Sequence, residues 1–248
     1  MDVNPKERFF EVDALRGIAI VLMVAYHFFF DLDFFSISEF DMHSGILVVM
    51  GRSAAILFIF LVGVSLTLSY SRASRSRPGK EIFIHNLKRG AGIFGWGLVI
   101  TFVTTIFLGS GTIYFGILHL IGFSIIISYP FLKYRWFNLL AGIALLFAGI
   151  PMDAAYVDYP WLLWIGLKPH GFYTLDYFPL IPWFGLVLLG IYAGNSLYPD
   201  YKRSFRMCDC EGNAVVGLLE YLGKKSLLIY LVHQPVIVGM LMIFIKIV

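Results

Sequence analysis

The chain has 248 residues, 59% of them hydrophobic and 14% charged, with a formal net charge of +3 and a mean hydropathy of +0.80. That balance excludes a water-soluble domain, because one core of this length needs far less apolar surface. The basic excess is not gathered on a polar domain, which excludes a nucleic-acid partner.

In chain order, the first hydrophobic run begins at Ala14 behind a charged segment, has no small-residue cleavage site after it and continues into Phe28, Phe29 and Phe30. It reads as a retained span rather than a removable leader. A helix needs about 20 apolar residues to cross a core of roughly 30 Å, and lipid tolerates no open strand. Seven segments meet that requirement, near 14–34, 45–70, 90–109, 112–132, 136–152, 178–197 and 222–246. Between the fifth and sixth, 156–177 carries Trp161, Trp164, Pro160 and Pro169, and reads as a short interfacial helix and loop in the aromatic belt, or a re-entrant element. The expected fold is all-α: a polytopic membrane helical bundle of about seven transmembrane helices, one domain over 1–248, in the cell membrane. Glycines such as Gly90, Gly92, Gly95 and Gly97 on the third span are packing features that let helices approach closely. Cys208 and Cys210 share one polar loop with no further ligand pattern, so no metal site is expected.

Orientation follows from the positive-inside rule. Sixteen of the 19 basic residues fall at the N-terminal segment or on alternate loops, around Arg72 to Arg89, Lys133 to Arg135 and Lys202 to Lys225. The opposite loops hold Asp31, Asp33, Glu39, Asp41, Asp153, Asp158 and Asp176 against a single Lys168. The N-terminus is therefore expected in the cytoplasm and the C-terminus outside. Arg52 is left as the one basic residue inside a span and away from its ends.

Ionisable residues within spans are costly and mark candidate functional sites. Counting 1.5 Å per residue, His27, Arg52 and His119 fall at one level in the outer half, His43 sits at the mouth of the second span, and His233 lies nearer the midplane. Imidazole takes and returns protons near neutral pH. This set suits acid–base work on an acceptor, and equally a proton relay in a transporter. At the inner edge Arg16, Lys88 and Arg89 could hold an anionic phosphate group, although they also serve as ordinary positive-inside flanks.

The run 11–27, His43 with Gly51-Arg52-Ser53 and 57–63, the block 115–122 and the ending 222–235 together resemble the heparan-α-glucosaminide N-acetyltransferase catalytic-domain family and its prokaryotic relatives, within the membrane acyltransferases. That resemblance spans nearly the whole chain. It implies an acetyl-CoA-dependent N- or O-acetyltransferase that passes an acetyl or short acyl group from cytoplasmic acyl-CoA to an amino sugar or lipid-linked glycan on the far side. The family's outer histidine falls on His43, and its polar first-span residue falls on His27. His43 and His27 are then the expected catalytic pair, Arg52, His119 and His233 the expected substrate contacts, and Arg16, Lys88 and Arg89 the expected CoA contacts. Direct transfer and an acetyl-histidine intermediate both remain open, as does the oligomeric state, a homodimer included. The alternative class is a proton-coupled permease, against which the two halves show no evident repeat and no paired broken helices.

Overall fold

The computed structural model describes residues 8–207 and 213–247. Cys208 and Cys210 lie outside them. The described residues form α1 (Phe10–Phe34), α2 (Gly45–Ala73), α3 (Gly79–Leu108), α4 (Ile117–Ile127), α5 (Arg135–Asp153), α6 (Leu180–Leu197), α7 (Ala214–Lys224) and α8 (Ser226–Ile247). Six of these, α1, α2, α3, α5, α6 and α8, are long and apolar enough to cross a membrane. Their outer faces carry large apolar side chains that a soluble protein would bury, among them Phe107, Phe147 and Ile150 at 79%, 68% and 68% exposed. The chain is a multi-pass membrane protein.

Three sequence expectations change. The fourth span is not one long helix: α4 has 11 residues, about 16 Å of helix. Gly109 and Gly111 before it adopt φ of 56° and 100°, a left-handed backbone that interrupts a helix. The segment nevertheless follows α3 along its length. Ile113 N–H donates to Thr104 Oγ1 at 3.1 Å, and Tyr129 O–H donates to the Gly79 carbonyl at 2.7 Å. Positions 79 and 104 of a helix are about 37 Å apart.

The extended entry to α4 meets the backbone hydrogen-bonding demand through the loop before α6. Leu175 N–H donates to Gly111 O at 3.2 Å, Phe178 N–H to Phe115 O at 2.9 Å, and Thr174 Oγ1 to Thr112 O at 2.8 Å. Non-helical backbone survives in a membrane protein when protein covers it in this way, and Gly111, Thr112, Phe115 and Gly116 are all buried.

The second change concerns 156–177. The only helical piece there is the three-residue 3-10 turn Pro160–Leu162; Gly166 and Gly171 at positive φ and Pro169 stop anything longer. Third, the last span begins at Ser226 rather than near 222, and α7 is a separate helix where a loop was expected. Asn213 starts it by accepting from Val215 N–H and Val216 N–H at 3.0 and 3.2 Å, the usual N-cap arrangement.

The described helices gather into two compact units, one over 59–206 and one combining 8–58 with 207 and 213–247. In the first, glycines bring helices into backbone contact. A Cβ on Gly122 would lie 2.5 Å from Phe94 N of α3, one on Gly142 would lie 2.9 Å from Gly185 O, and Gly63 faces Val187 and Gly190 of α6. On α3, Gly90 and Gly97 face α4, whereas Gly92 and Gly95 meet nothing, so only part of the glycine stripe is a packing surface. In the second unit α1 lies against α7, where Gly17 meets the Leu219 carbonyl and Gly223 the Asp13 carbonyl. It also lies against α8, where the polar side chains meet.

Candidate functional site on helices α1 and α8

His27 sits two-thirds of the way along α1, and its Nδ1 lies 2.8 Å from the Met23 carbonyl one turn back. A carbonyl only accepts, so Nδ1 carries the proton and neutral His27 keeps its lone pair on Nε2. His233 on α8 is arranged alike, with Nδ1 2.6 Å from Tyr230 O. The two rings stand edge to face, 4.8 Å between centroids at 76°. Each helix thus fixes the tautomer of its own histidine and points the basic nitrogen away from its backbone.

One turn beyond His27, Asp31 is 2% exposed and accepts from Gln234 Nε2 at 3.3 Å. The α1 pair His27–Asp31 therefore faces the α8 pair His233–Gln234. Buried polar atoms are normally hydrogen-bonded, yet His233 Nε2, Asp31 Oδ2 and Gln234 Oε1 have no partner among the described residues. Pro235 follows directly within α8, and a proline lacks the N–H that would donate to the carbonyl four residues back.

Sequence reading placed His27 and His233 as candidates but assigned Asp31 to the outer flank and passed over Gln234. The i, i+4 spacing from His27 puts Asp31 on the same helical face, and this was the available signal. Gln234 carried none beyond adjacency to His233.

In the same unit, Gly51 of α2 packs on the Tyr26 ring, whose carbons would lie 2.8 Å from a Cβ there, so α2 meets α1 at the turn carrying His27. Arg52 follows that contact and is exposed. His43 is also exposed, in the turn before α2. There its N–H donates to Asp41 Oδ1 at 2.9 Å, and Ser44 N–H and Oγ bond the same carboxylate. The Ser44 hydroxyl and the His43 N–H hold the Asp41 carboxyl below the usual carboxylate range. Arg16 pairs with the buried Asp13 at 2.5 Å, and Arg8 approaches it at 3.8 Å.

His119, Lys88 and Arg89 belong to the other unit. Lys88 and Arg89 are exposed near the start of α3. His119, 2% exposed, accepts from Gly116 N–H on Nδ1 at 3.2 Å, which leaves the proton on Nε2 to face Thr101 Oγ1 at 3.3 Å. Both of its nitrogens are engaged. Asp176 accepts from Ile117 N–H at 3.1 Å beside it, which serves the start of α4.

Fold and site together define an integral membrane helical bundle with a buried polar cluster of His27, Asp31, His233 and Gln234 between two of its spanning helices. The chain belongs to the family described as heparan-alpha-glucosaminide N-acetyltransferase, catalytic, whose model matches residues 8–235. That family is one of transmembrane acetyltransferases, and the match takes in His27, Asp31, His43, Arg52, His119, His233 and Gln234. Comparison with curated proteins and with solved structures yields no match.

Proposed function

We propose that the protein transfers an acetyl or short acyl group from cytoplasmic acetyl-CoA to an amino-sugar or lipid-linked glycan acceptor on the extracytoplasmic side. Family membership supports the chemistry, and one observation carries the site: two imidazoles, edge to face, each with Nδ1 held by its own helix and Nε2 left as the base. In this reading His27 Nε2 takes a proton from the acceptor as the acceptor's nitrogen or oxygen attacks the thioester carbonyl. The C–S bond then breaks, and the imidazolium returns a proton to the CoA thiolate. His43, in the exposed turn before α2, is the second catalytic histidine and meets the acceptor at the outer side.

Arg52 takes the developing oxyanion in this scheme. His119, with both nitrogens engaged, is given a structural role rather than the substrate contact expected above. Arg16, Lys88 and Arg89 remain the proposed CoA phosphate contacts, with Arg16 already held in place by Asp13. The N-terminus is cytoplasmic, and a cysteine at Ser38 should react with an impermeant reagent from outside. Reaction only after the inner face is opened would overturn this orientation.

The deciding experiment incubates purified protein with labelled acetyl-CoA and a panel of amino sugars and lipid-linked glycans and follows free CoA. Acceptor-dependent CoA release is expected. Proton-coupled uptake into vesicles without CoA release would favour the permease instead.

A further inference from the structure

The hydrogen-bonding valence left open between α1 and α8 is one-sided. Among the described residues His233 Nε2, Asp31 Oδ2 and Gln234 Oε1 are buried and unpartnered, and all three are acceptors: two are carboxylate and amide oxygens, and the His233 proton is on Nδ1, spent on the Tyr230 carbonyl. The amide nitrogen of Gln234 already faces Asp31 Oδ1. A group that completes this cluster must bring donors, and beside a carboxylate a cationic donor is favoured over a neutral one. A primary ammonium has that character: three N–H donors and one positive charge.

Proton counting points the same way. A hydroxyl acceptor sheds one proton during acetyl transfer, whereas an ammonium sheds two, one to become nucleophilic and one after the N–C bond has formed. Two imidazoles with accepting Nε2 atoms, 4.8 Å apart between ring centroids, match the second case. We infer that Asp31, tethered by Gln234, is a specificity-determining residue that selects a protonated primary amine as the acetyl acceptor. This rests on the acetyltransferase reading.

The ammonium sits against Asp31 and gives its first proton to His27 Nε2. The freed amine attacks the thioester carbonyl, the new N–C bond forms, and His233 Nε2 takes the second proton. The C–S bond breaks as the thiolate leaves and collects one of these protons to become the CoA thiol; the other returns to solvent. The sum is one ammonium and one thioester giving one amide, one thiol and one proton.

The test uses purified protein, acetyl-CoA and glucosamine as the probe amine, with glucose as the hydroxyl counterpart. Asp31→Asn keeps the shape and removes the charge. It should raise the KM for glucosamine by ~10- to 100-fold, the range for losing a charge-assisted contact, with kcat and melting temperature far less affected. An unchanged KM, or kcat and melting temperature falling together while KM holds, overturns the assignment. If Asp31→Asn does not fold, Gln234→Leu, which unties the carboxylate, should raise the same KM, and an unchanged value again overturns it. CoA release by the wild-type protein with glucose but not with glucosamine would sink the Asp31 assignment alone. No release with any amine or hydroxyl would sink the acetyltransferase reading with it.

Discussion

His233 on α8 and His119 on α4 are both buried imidazoles on apolar helices, 7% and 2% exposed, and they differ in what is left over. Around His119 the hydrogen bonds close: Gly116 N–H fills Nδ1, Thr101 meets Nε2, and the Thr101 hydroxyl donates in turn to Ile113 O at 2.5 Å. Around His233 they do not, and three acceptors stay open. Leaving a buried polar group unmade costs about 1–3 kcal/mol. A chain that retains such a cluster between two spans maintains it against its own stability, as binding and catalytic sites do. The closed cluster secures the non-helical entry to α4; the open one is the place proposed above for a substrate group.

The sharpest way to break that contrast is by turnover. His27→Ala and His43→Ala should each lower acyl transfer by at least ~100-fold, the lower range for losing a general acid or base, while CoA affinity and melting temperature stay close to wild type. A stable His43→Ala protein with wild-type turnover would remove that residue from the mechanism. If His27 only braces α1 against α8, its removal should lower stability and binding together.

His119→Ala should behave in the opposite sense. It orphans Gly116 N–H and empties the space between Phe94 and Phe115, whose rings lie 5.2 and 5.5 Å from the imidazole. A destabilisation of about 2–4 kcal/mol is expected, read as a loss of melting temperature larger than that of His27→Ala. A His119→Ala protein of wild-type stability would undo the comparison.

Asp176→Ala removes only the acceptor for Ile117 N–H and should cost about 1 kcal/mol, while Asp176→Asn should restore most of it. Equal losses for the two substitutions would mean that the carboxylate does more than cap α4.

The smallest effect belongs to the turn before α2. Because the folded state holds the Asp41 carboxyl below its ordinary value, its contribution is present above about pH 3.9. It is lost as pH falls through and below that point. Melting profiles between pH 7 and pH 3 should therefore decline slightly more for wild type than for Asp41→Asn. Identical profiles would remove Asp41 as the group that orders the His43 turn.

Sequence alone determined the class of the fold and most of its span positions, because apolar length and composition are local quantities and lipid admits almost no alternative to a helix. It also isolated His27, Arg52, His119 and His233, since an ionisable residue inside an apolar run is conspicuous without any structure. Only the tertiary structure separated the histidines among them by what each ring nitrogen meets. Whether an imidazole is spent or available depends on what lies across from it: Thr101, 18 positions before His119, or Asp31, 203 positions before Gln234. The broken fourth crossing was hidden for the same reason. Its extended entry survives because residues 174–178, some 60 positions later, supply the hydrogen bonds that a helix would have made within itself, and no local pattern in the chain records a partner at that distance.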